Sequence, residues 1–302
     1  MNHLITGADA LQQLIGDFKA GKSPDLWRTH DSAWDAFELG MGLITVVAAP
    51  PKAGKTALTM QLVCDTLTRN PELTAYVANC EVSPQAMMQR LLARFSGVAV
   101  RDIRFARNDA ATTKLLEEGA KRLCGCVDRL IFHRGRFALN EIQHACGQHA
   151  SEHGGKSLFV VDYLQRLRLD SKDAASDRRI ELEDTMSALR DMADSGLGII
   201  VVSAVARQKG RGGSNYAGIG LASLRGSSEL EYGADSIWLM HTGNDGNGAN
   251  DAKDKDAAAR PPVPDNVLVL ECAANRHGDT ETIPLVFDKP RMQFHIIKTG
   301  QP

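Results

Sequence analysis

The sequence predicts an α/β protein with a mainly parallel central sheet and an antiparallel C-terminal extension. Short runs of apolar residues recur along the chain, and runs that are apolar throughout are typical of strands buried on both faces. Longer segments with helical periodicity separate these runs and can form the crossovers that parallel strands require. Beyond Gly233 the apolar runs follow one another through shorter turns, which favours antiparallel pairing.

Five apolar runs are predicted as the first strands, in the order in which they occur. They cover residues 43–49, 74–80, 129–133, 157–162 and 198–204. The helical segments between and after them cover residues 55–69, 83–96, 108–124, 139–152 and 177–194. The antiparallel extension is predicted from strands at residues 236–241, 267–273, 282–287 and 292–297.

The chain divides into a short N-terminal segment and one large domain. Residues 1–33 are predicted to hold an interface helix, at about residues 8–18, and a polar linker. This helix is amphipathic and cannot bury its apolar face alone, so it either folds back or packs on another subunit. Residues 34–302 form the large domain, in which residues 243–266 are rich in Gly, Asn, Asp and Pro and are predicted to be a mobile loop.

Composition and charge exclude several classes of protein. Lys and Arg number 35 against 37 Asp and Glu, so nucleic-acid binding would have to come from local patches. The longest apolar stretches are too short to span a bilayer, and six scattered cysteines favour free thiols in a reducing cytoplasm. A zinc site built from Cys124, Cys126 and Cys146 with His144, His149 and His153 is a weaker alternative, because the spacing matches no compact metal signature.

The segment after the first predicted strand predicts a phosphate-binding loop. It matches the P-loop pattern except that Ala replaces the first Gly, and it lies between a buried strand and a helix. Backbone N–H groups there can surround a β-phosphate, while Lys55 neutralises phosphate charge and the Thr56 hydroxyl holds Mg²⁺. Gly54 is expected because a side chain at this position would collide with phosphate. The predicted nucleotide-binding residues are Ala49, Pro50, Pro51, Lys52, Ala53, Gly54, Lys55, Thr56 and Ala57.

Two carboxylates end neighbouring apolar runs. Asp162 ends the run at residues 157–162 and is a candidate Mg²⁺ ligand, although an Asp there could merely cap a turn. Glu81 follows the run at residues 74–80 and could polarise an attacking water, or could instead cap the helix that begins near Ser83.

With these residues in place, the sequence resembles the RecA-fold ATPase domain of DnaB-type replicative helicases, from about residue 34 to residue 297. The P-loop resembles that family's variant, including its Ala, and the sequence Asp-Tyr-Leu-Gln at residues 162–165 is the most specific match. Further similar segments lie at residues 80–92, 152–155, 224–235 and 275–278.

The resemblance implies a role for each matched residue. Lys55 and Thr56 would act on phosphate and Mg²⁺, Glu81 would be the catalytic base, Asp162 would hold the metal, and Arg276 would reach the γ-phosphate of a neighbouring subunit. ATP and Mg²⁺ are the implied cofactors. The implied partners are single-stranded DNA, copies of the same chain in a ring, hexameric in the family, and replication or loader proteins.

The chain departs from the family's pattern at three places. Fewer than fifty residues precede the P-loop, so no counterpart is expected for the N-terminal domain that forms a collar and meets primase. Ala204 stands where the family has a Gln that senses the γ-phosphate, and Ala274 stands where a Lys usually precedes the arginine finger. These departures put the coupling of hydrolysis to motion in doubt more than nucleotide binding.

A glycine-rich segment after the strand at residues 198–204 is the candidate DNA contact. Arg207, Lys209 and Arg211 lie there with no compensating acid, a pattern that suits a grip on the phosphates of single-stranded DNA. Loops at this location face the central axis in RecA-type rings. The segment after Asp162, at residues 166–179, is a weaker candidate.

Three functions are compatible with these features. The first is an ATP-dependent, ring-forming DNA helicase or translocase. The second is a DnaB-derived, ATP-dependent DNA-binding or assembly factor, a clamp or recruiter that does not unwind DNA, and the departures at Ala204 and Ala274 favour it. The third is a P-loop kinase for a small metabolite, which Arg276 and the cationic segment disfavour.

Overall fold

A nine-stranded sheet organises the protein in the computed structural model, which describes residues 5–21, 26–29, 34–107, 109–168, 178–205, 219–224, 227–242 and 266–297. The strand order is β3-β2-β4-β5-β1-β6-β7-β8-β9. The pairs from β3 to β6 are parallel, and those from β6 to β9 are antiparallel. The predicted fold class is therefore confirmed.

The strands are β1 (Ile44–Ala49), β2 (Thr74–Asn79), β3 (Leu130–Phe132), β4 (Ser157–Asp162), β5 (Gly198–Ala204), β6 (Ser236–Thr242), β7 (Val267–Asn275), β8 (Thr282–Asp288) and β9 (Gln293–Ile296). The α-helices are α1 (Gly7–Lys19), α2 (Lys55–Arg69), α3 (Pro84–Ser96), α4 (Val100–Arg104), α5 (Ala110–Val127), α6 (Leu139–Glu152), α7 (Arg178–Asp194) and α8 (Ser227–Gly233).

Successive residues of the central strands supply two separate cores. Val47 and Ala49 of β1 join the core beneath α2, α3 and α5, whereas Val46 and Ala48 join the core beneath α6 and α7. This alternation explains why the strands are apolar throughout, because a sheet covered by helices on both faces offers no polar side. All six residues of β1 are buried.

One feature of the antiparallel extension differs from the prediction. Strand β6 was expected in the antiparallel set, but it runs parallel to β1, with Thr45 opposite Ser236, and only its pairing with β7 is antiparallel. The apolar pattern could not distinguish these cases, because β6 is buried on both faces like the parallel strands. Residues 243–265 of the predicted mobile loop lie outside the described residues.

Helix α1 has an exposed apolar stripe. Thr6 caps it, accepting a hydrogen bond from the backbone N–H of Asp9, and none of its residues is buried. Leu11, Leu14 and Phe18 lie at the i, i+3 and i+7 spacing of a single helix face, and Phe18 is 84% exposed. No described helix is both long enough and apolar enough to cross a membrane.

Candidate functional site

The candidate site lies at the C-terminal ends of the parallel strands. The last residue of β1, Ala49, is opposite Ala204 of β5, and the last residue of β2, Asn79, is opposite Asp162 of β4. The parallel register thus brings together the loops that follow four strands. The C-terminal ends of the strands are where open α/β sheets bind ligands.

The P-loop turns sharply between β1 and α2. Lys52 and Gly54 have positive φ angles, 66° and 101°, and Gly54 is the N-cap of α2. A Cβ atom on Gly54 would lie 2.8 Å from Phe287 Cε1 and 2.9 Å from Phe294 Cζ. The expectation that Gly54 is needed only to admit phosphate is therefore incomplete, since the protein's own aromatic rings also exclude a side chain.

These two rings come from the antiparallel extension. Phe287 of β8 and Phe294 of β9 stack with centroids 4.2 Å apart and planes at 4°. Gln61 of α2 holds β9 in place: its amide donates to the Phe294 carbonyl at 2.9 Å and accepts from the Phe294 N–H at 2.8 Å. The last strand is thereby bonded directly to the helix that follows the P-loop.

The Lys55 ammonium group lies over the start of the loop. It donates to the Ala49 carbonyl at 2.9 Å and to the Pro50 carbonyl at 3.2 Å. Burial lowers the pKa of Lys55, against the opposing effect of the Asp162 and Glu81 carboxylates. A cation partly removed from water and bonded only to neutral carbonyls is a favourable partner for an anionic ligand.

The Thr56 hydroxyl and the Asp162 carboxylate meet in the site. Thr56 Oγ1 donates to Asp162 Oδ2 at 2.6 Å, although the two residues are 106 positions apart in sequence. Burial is the main cause of a raised pKa for Asp162, with the Thr56 hydrogen bond acting in the opposite direction. The alternative in which Asp162 caps its own turn is not favoured, because its side chain contacts α2 and β2.

This donor set fits Mg²⁺. A hydroxyl and a carboxylate supply hard oxygen ligands, and Mg²⁺ in nucleotide sites is usually held by one or two protein oxygens together with phosphates and water. A zinc site would need a larger set of protein ligands. Within the described residues no three His, Cys, Asp or Glu side chains converge to hold a metal, which disfavours the zinc alternative at Cys124 and Cys126.

Glu81 lies in the turn between β2 and α3 and is exposed. Its backbone N–H donates to Asn79 Oδ1, and the Asn79 amide nitrogen donates to Asp162, so Glu81 lies beside the same crevice. The alternative role as a helix cap is filled by Ser83, whose hydroxyl accepts from the Ala86 N–H, with Pro84 at the first helical position.

Arg276 lies at the opposite end of the parallel strands, beside the N-terminal end of β1. Its backbone N–H donates to the Asp235 carbonyl, and the Asp235 N–H donates to the carbonyl of Ile44, the first residue of β1. The six residues of β1 therefore separate Arg276 from the P-loop of its own chain, a span of about 20 Å. The structure does not bring Arg276 to the other predicted site residues within one chain.

The Arg276 side chain is held from one side. One terminal nitrogen donates to Asp235 Oδ1 at 3.1 Å and the other to the Tyr232 carbonyl at 2.8 Å, while 48% of the side chain stays exposed. The other carboxylate oxygen of Asp235 accepts from Arg190 at 2.9 Å and from the Ile44 N–H at 2.8 Å.

Ala204 and Ala274, the two residues that depart from the family's pattern, lie at opposite ends of the sheet's strands. Ala204 is beside the first P-loop residue, and next to it the Ser203 hydroxyl accepts from the Gln165 amide at 2.8 Å. Ala274 lies on β7, two residues before Arg276, and is opposite Ile237 of β6.

The candidate DNA contacts Arg207, Lys209 and Arg211 lie outside the described residues.

Fold and site together define a RecA-like P-loop domain. The chain belongs to the DnaB-like helicase C-terminal domain family, whose sequence profile matches residues 35–296. The resemblance predicted from the sequence is confirmed.

Similar proteins include replicative helicases. The replicative DNA helicase DnaB of Geobacillus stearothermophilus is 22% identical over 258 residues, covering 83% of this chain and 52% of that protein. A probable plasmid replicative DNA helicase of Chlamydia psittaci is 23% identical over 262 residues, covering 86% of this chain and 53% of that protein. The chain thus spans about half the length of these relatives.

Two solved structures share the fold. The ATPase domain of G40P superposes with a TM-score of 0.76 at 19% identity, covering 97% of this chain and 99% of that one. A DnaB-like replicative helicase, solved in work on its interactions with primase, superposes with a TM-score of 0.75 at 18% identity, covering 96% and 67%.

Sequence reasoning missed two polar residues that shape the site, Asn79 and Gln61. Asn79 is the only polar side chain between Tyr76 and Cys80 in an otherwise apolar stretch, which is a usable signal. Gln61 lies within the apolar pattern of α2, and no local signal indicates that its partner is Phe294.

Proposed function

We propose that this chain is an ATP-driven DNA helicase or translocase subunit that acts on single-stranded DNA as a ring of identical subunits. The observation that carries the proposal is the meeting of Thr56 and Asp162 beside Lys55, with Arg276 at the far edge of the sheet. A chain with the two halves of a nucleotide site on opposite edges can complete that site only against another copy. Head-to-tail repetition of such an interface generates rings or filaments.

Each residue has a role in ATP hydrolysis under this proposal. Lys55 leaves its carbonyl partners to neutralise the β- and γ-phosphates, and Thr56 and Asp162 hold Mg²⁺. When bound, Mg²⁺ withdraws charge from the phosphate oxygens. Glu81 orients and deprotonates the attacking water, and Arg276 of the neighbouring copy stabilises charge on the γ-phosphate.

Helix α1 supports assembly. Its apolar stripe is exposed throughout its length, which is costly in water unless a second surface covers it. We assign that surface to the next copy in the ring, so that residues 1–33 act as an interface helix and linker, and residues 34–302 act as the ATPase domain.

A second function, a clamp or recruiter that oligomerises on DNA without unwinding it, is favoured by one observation. Ala204 lies beside the P-loop and has no polar side-chain atom. It therefore cannot form a hydrogen bond with the γ-phosphate, and loss of that phosphate would not move the segment after β5 through this residue. This function keeps ATP and DNA binding and lacks only strand separation.

Strand separation distinguishes the two functions. We expect the wild-type chain to release the labelled strand of a forked DNA in the presence of ATP and Mg²⁺, and Glu81→Gln to bind the fork and release nothing. Binding by both proteins with release by neither would favour the clamp. Equal nucleotide affinity in wild type and Lys55→Ala would contradict the P-loop assignment itself.

The DNA contact has its own test. Replacing Arg207, Lys209 and Arg211 together with Ala should weaken single-stranded DNA binding with little dependence on base sequence. The slope of log affinity against log salt should become shallower by about 2, because three phosphate contacts no longer release counterions. A matched triple replacement of Lys114, Lys121 and Arg122 on α5 should leave the slope unchanged. An unchanged slope in the first variant would place the DNA elsewhere.

A further inference from the structure

One side chain, Asn79, joins the metal-ligand candidate to the turn that carries the candidate base. Its amide nitrogen donates to Asp162 Oδ2 at 2.6 Å. Its amide oxygen accepts from the backbone N–H of Glu81 at 3.0 Å and from that of Val82 at 2.7 Å. Asn79 is the last residue of β2 and stands directly opposite Asp162 in the register.

The two ends of this amide are chemically distinct, which fixes its orientation. A carboxylate accepts hydrogen bonds and cannot donate one when ionised, so the nitrogen must face Asp162. The two backbone N–H groups require an acceptor, so the oxygen must face the turn. Asp162 Oδ2 also receives the Thr56 hydroxyl, so one carboxylate oxygen connects α2, β2 and β4.

We propose that Asn79 is a positioning residue for ATP hydrolysis, which sets the place of Glu81 relative to the metal side of the site. The inference rests on the proposed function, in which Asp162 holds Mg²⁺ and Glu81 activates water. The Asn79 amide forms hydrogen bonds both with the Glu81 backbone N–H and with the Asp162 carboxylate. These bonds hold the proposed base and the proposed metal ligand at a fixed separation. Holding reacting groups in register is worth large rate factors, and small displacements are costly.

The fold does not depend on this connection. Glu81 is exposed and Val82 is half-buried, so water can reach the Glu81 N–H when Asn79 is removed. The β2–β4 pairing keeps its own backbone bonds, including that from the Cys80 N–H to the Asp162 carbonyl at 2.7 Å. Loss of the Asn79 side chain should therefore affect placement more than stability.

Two variants of the full chain separate the halves of the connection. Asn79→Ala removes both, whereas Asn79→Asp keeps an acceptor for the turn and sets a second carboxyl group against Asp162 in place of the amide donor. We expect kcat for ATP hydrolysis on single-stranded DNA to fall about tenfold or more in both variants, with KM for ATP changed less than about threefold. Asn70→Ala is the matched control, because its amide also makes two hydrogen bonds to backbone, at the far end of α2. It should lower the melting temperature and leave kcat unchanged.

Hydrogen exchange tests the connection without any turnover. In the nucleotide-free protein, the Glu81 and Val82 amides should exchange several-fold faster in Asn79→Ala and near the wild-type rate in Asn79→Asp. Unchanged exchange in Asn79→Ala, or full kcat in either Asn79 variant, would overturn the proposal. A wild-type chain that hydrolyses no ATP would instead contradict the proposed function, while the exchange result would still decide whether Asn79 holds the turn.

Discussion

Ala204 and Ala274 are small residues at two positions where a polar group would contact the nucleotide in the proposed ring. Ala204 lies beside Ala49 at the start of the P-loop, and Ala274 lies two residues before Arg276, at the end of the sheet that would face the next chain in that ring. Charge that develops in the transition state would then be stabilised by Lys55, Mg²⁺ and Arg276 alone. The loss of one oriented donor from such a site costs about 3 kcal/mol, or about a hundredfold in rate.

Slow ATP turnover with intact binding is therefore expected. Restoring both side chains, as Ala204→Gln with Ala274→Lys, should raise the steady-state rate of hydrolysis at saturating single-stranded DNA. Each single replacement serves as the control for the other. A rate that is unchanged or lower would mean that a resident side chain already fills the role, and Gln165 is the nearest candidate because its amide reaches Ser203.

Among the elements that carry none of the candidate site residues, the β8–β9 hairpin packs directly against the P-loop. Gln61 is 4% exposed and forms both hydrogen bonds to Phe294, and the two stacked phenyl rings close over Gly54. Because the hairpin packs on the loop itself, its attachment is a condition for the shape of the P-loop.

Gln61→Leu should detach this hairpin. The Phe294 N–H and carbonyl would lose their partners in a buried place, so we expect the free energy of unfolding to fall by about 2 to 4 kcal/mol in urea titrations. Nucleotide affinity should fall with it. The control is Gln148→Leu on the exposed face of α6, which should change stability by less than about 0.5 kcal/mol. A stability loss without any loss of nucleotide affinity would show that the hairpin does not shape the loop.

The sequence predicts most elements of the parallel core, and the reason is local. Helices α2 and α6 and strands β4 and β5 have the bounds expected from their apolar periodicity, caps and flanking residues. The short helices α4 and α8 were missed, because five and seven residues give too little periodicity. The second pairing of β6, parallel to β1, was not predicted, because parallel and antiparallel buried strands present the same apolar pattern.

The candidate site was predictable where its residues belong to a contiguous motif or stand at the end of an apolar run. Lys55 and Thr56 belong to a recognisable loop, and Asp162 and Glu81 end or follow apolar runs, so strand register alone predicts that they meet. The contacts of Asn79, Gln61 and Asp235 depend on partners 83, 233 and 41 positions away, and no local pattern encodes such partners.

At the scale of the whole molecule, one chain places the two proposed halves of a nucleotide site at opposite ends of the parallel strands. Lys55 lies at the carboxyl edge of the sheet and Arg276 lies at the amino edge, held by Asp235 with half of its surface free. Under the proposed function, this geometry would make catalysis a property of the contact between copies.

Mixing two inactive variants should therefore restore hydrolysis. Lys55→Ala and Arg276→Ala should each be inactive alone, whereas an equal mixture should recover about a quarter of wild-type ATPase activity, because one interface in four pairs an intact P-loop with an intact Arg276. Mixing Lys55→Ala with Glu81→Gln is the control and should restore nothing, since both changes fall in the same half of the site. A mixture of the first pair that stays inactive would contradict action between copies.

The hydrogen bonds between Gln61 and Phe294 can form only after both α2 and β9 have been synthesised, which affects folding of the nascent chain. The P-loop leaves the ribosome roughly 240 residues before the strand that covers Gly54. At the usual 5–20 residues per second, the loop waits about 12 to 50 s for its last structural partner. During that interval the apolar face of α2 that β9 covers is exposed to chaperones and to other nascent chains, so the step most open to misassembly is the docking of the final hairpin.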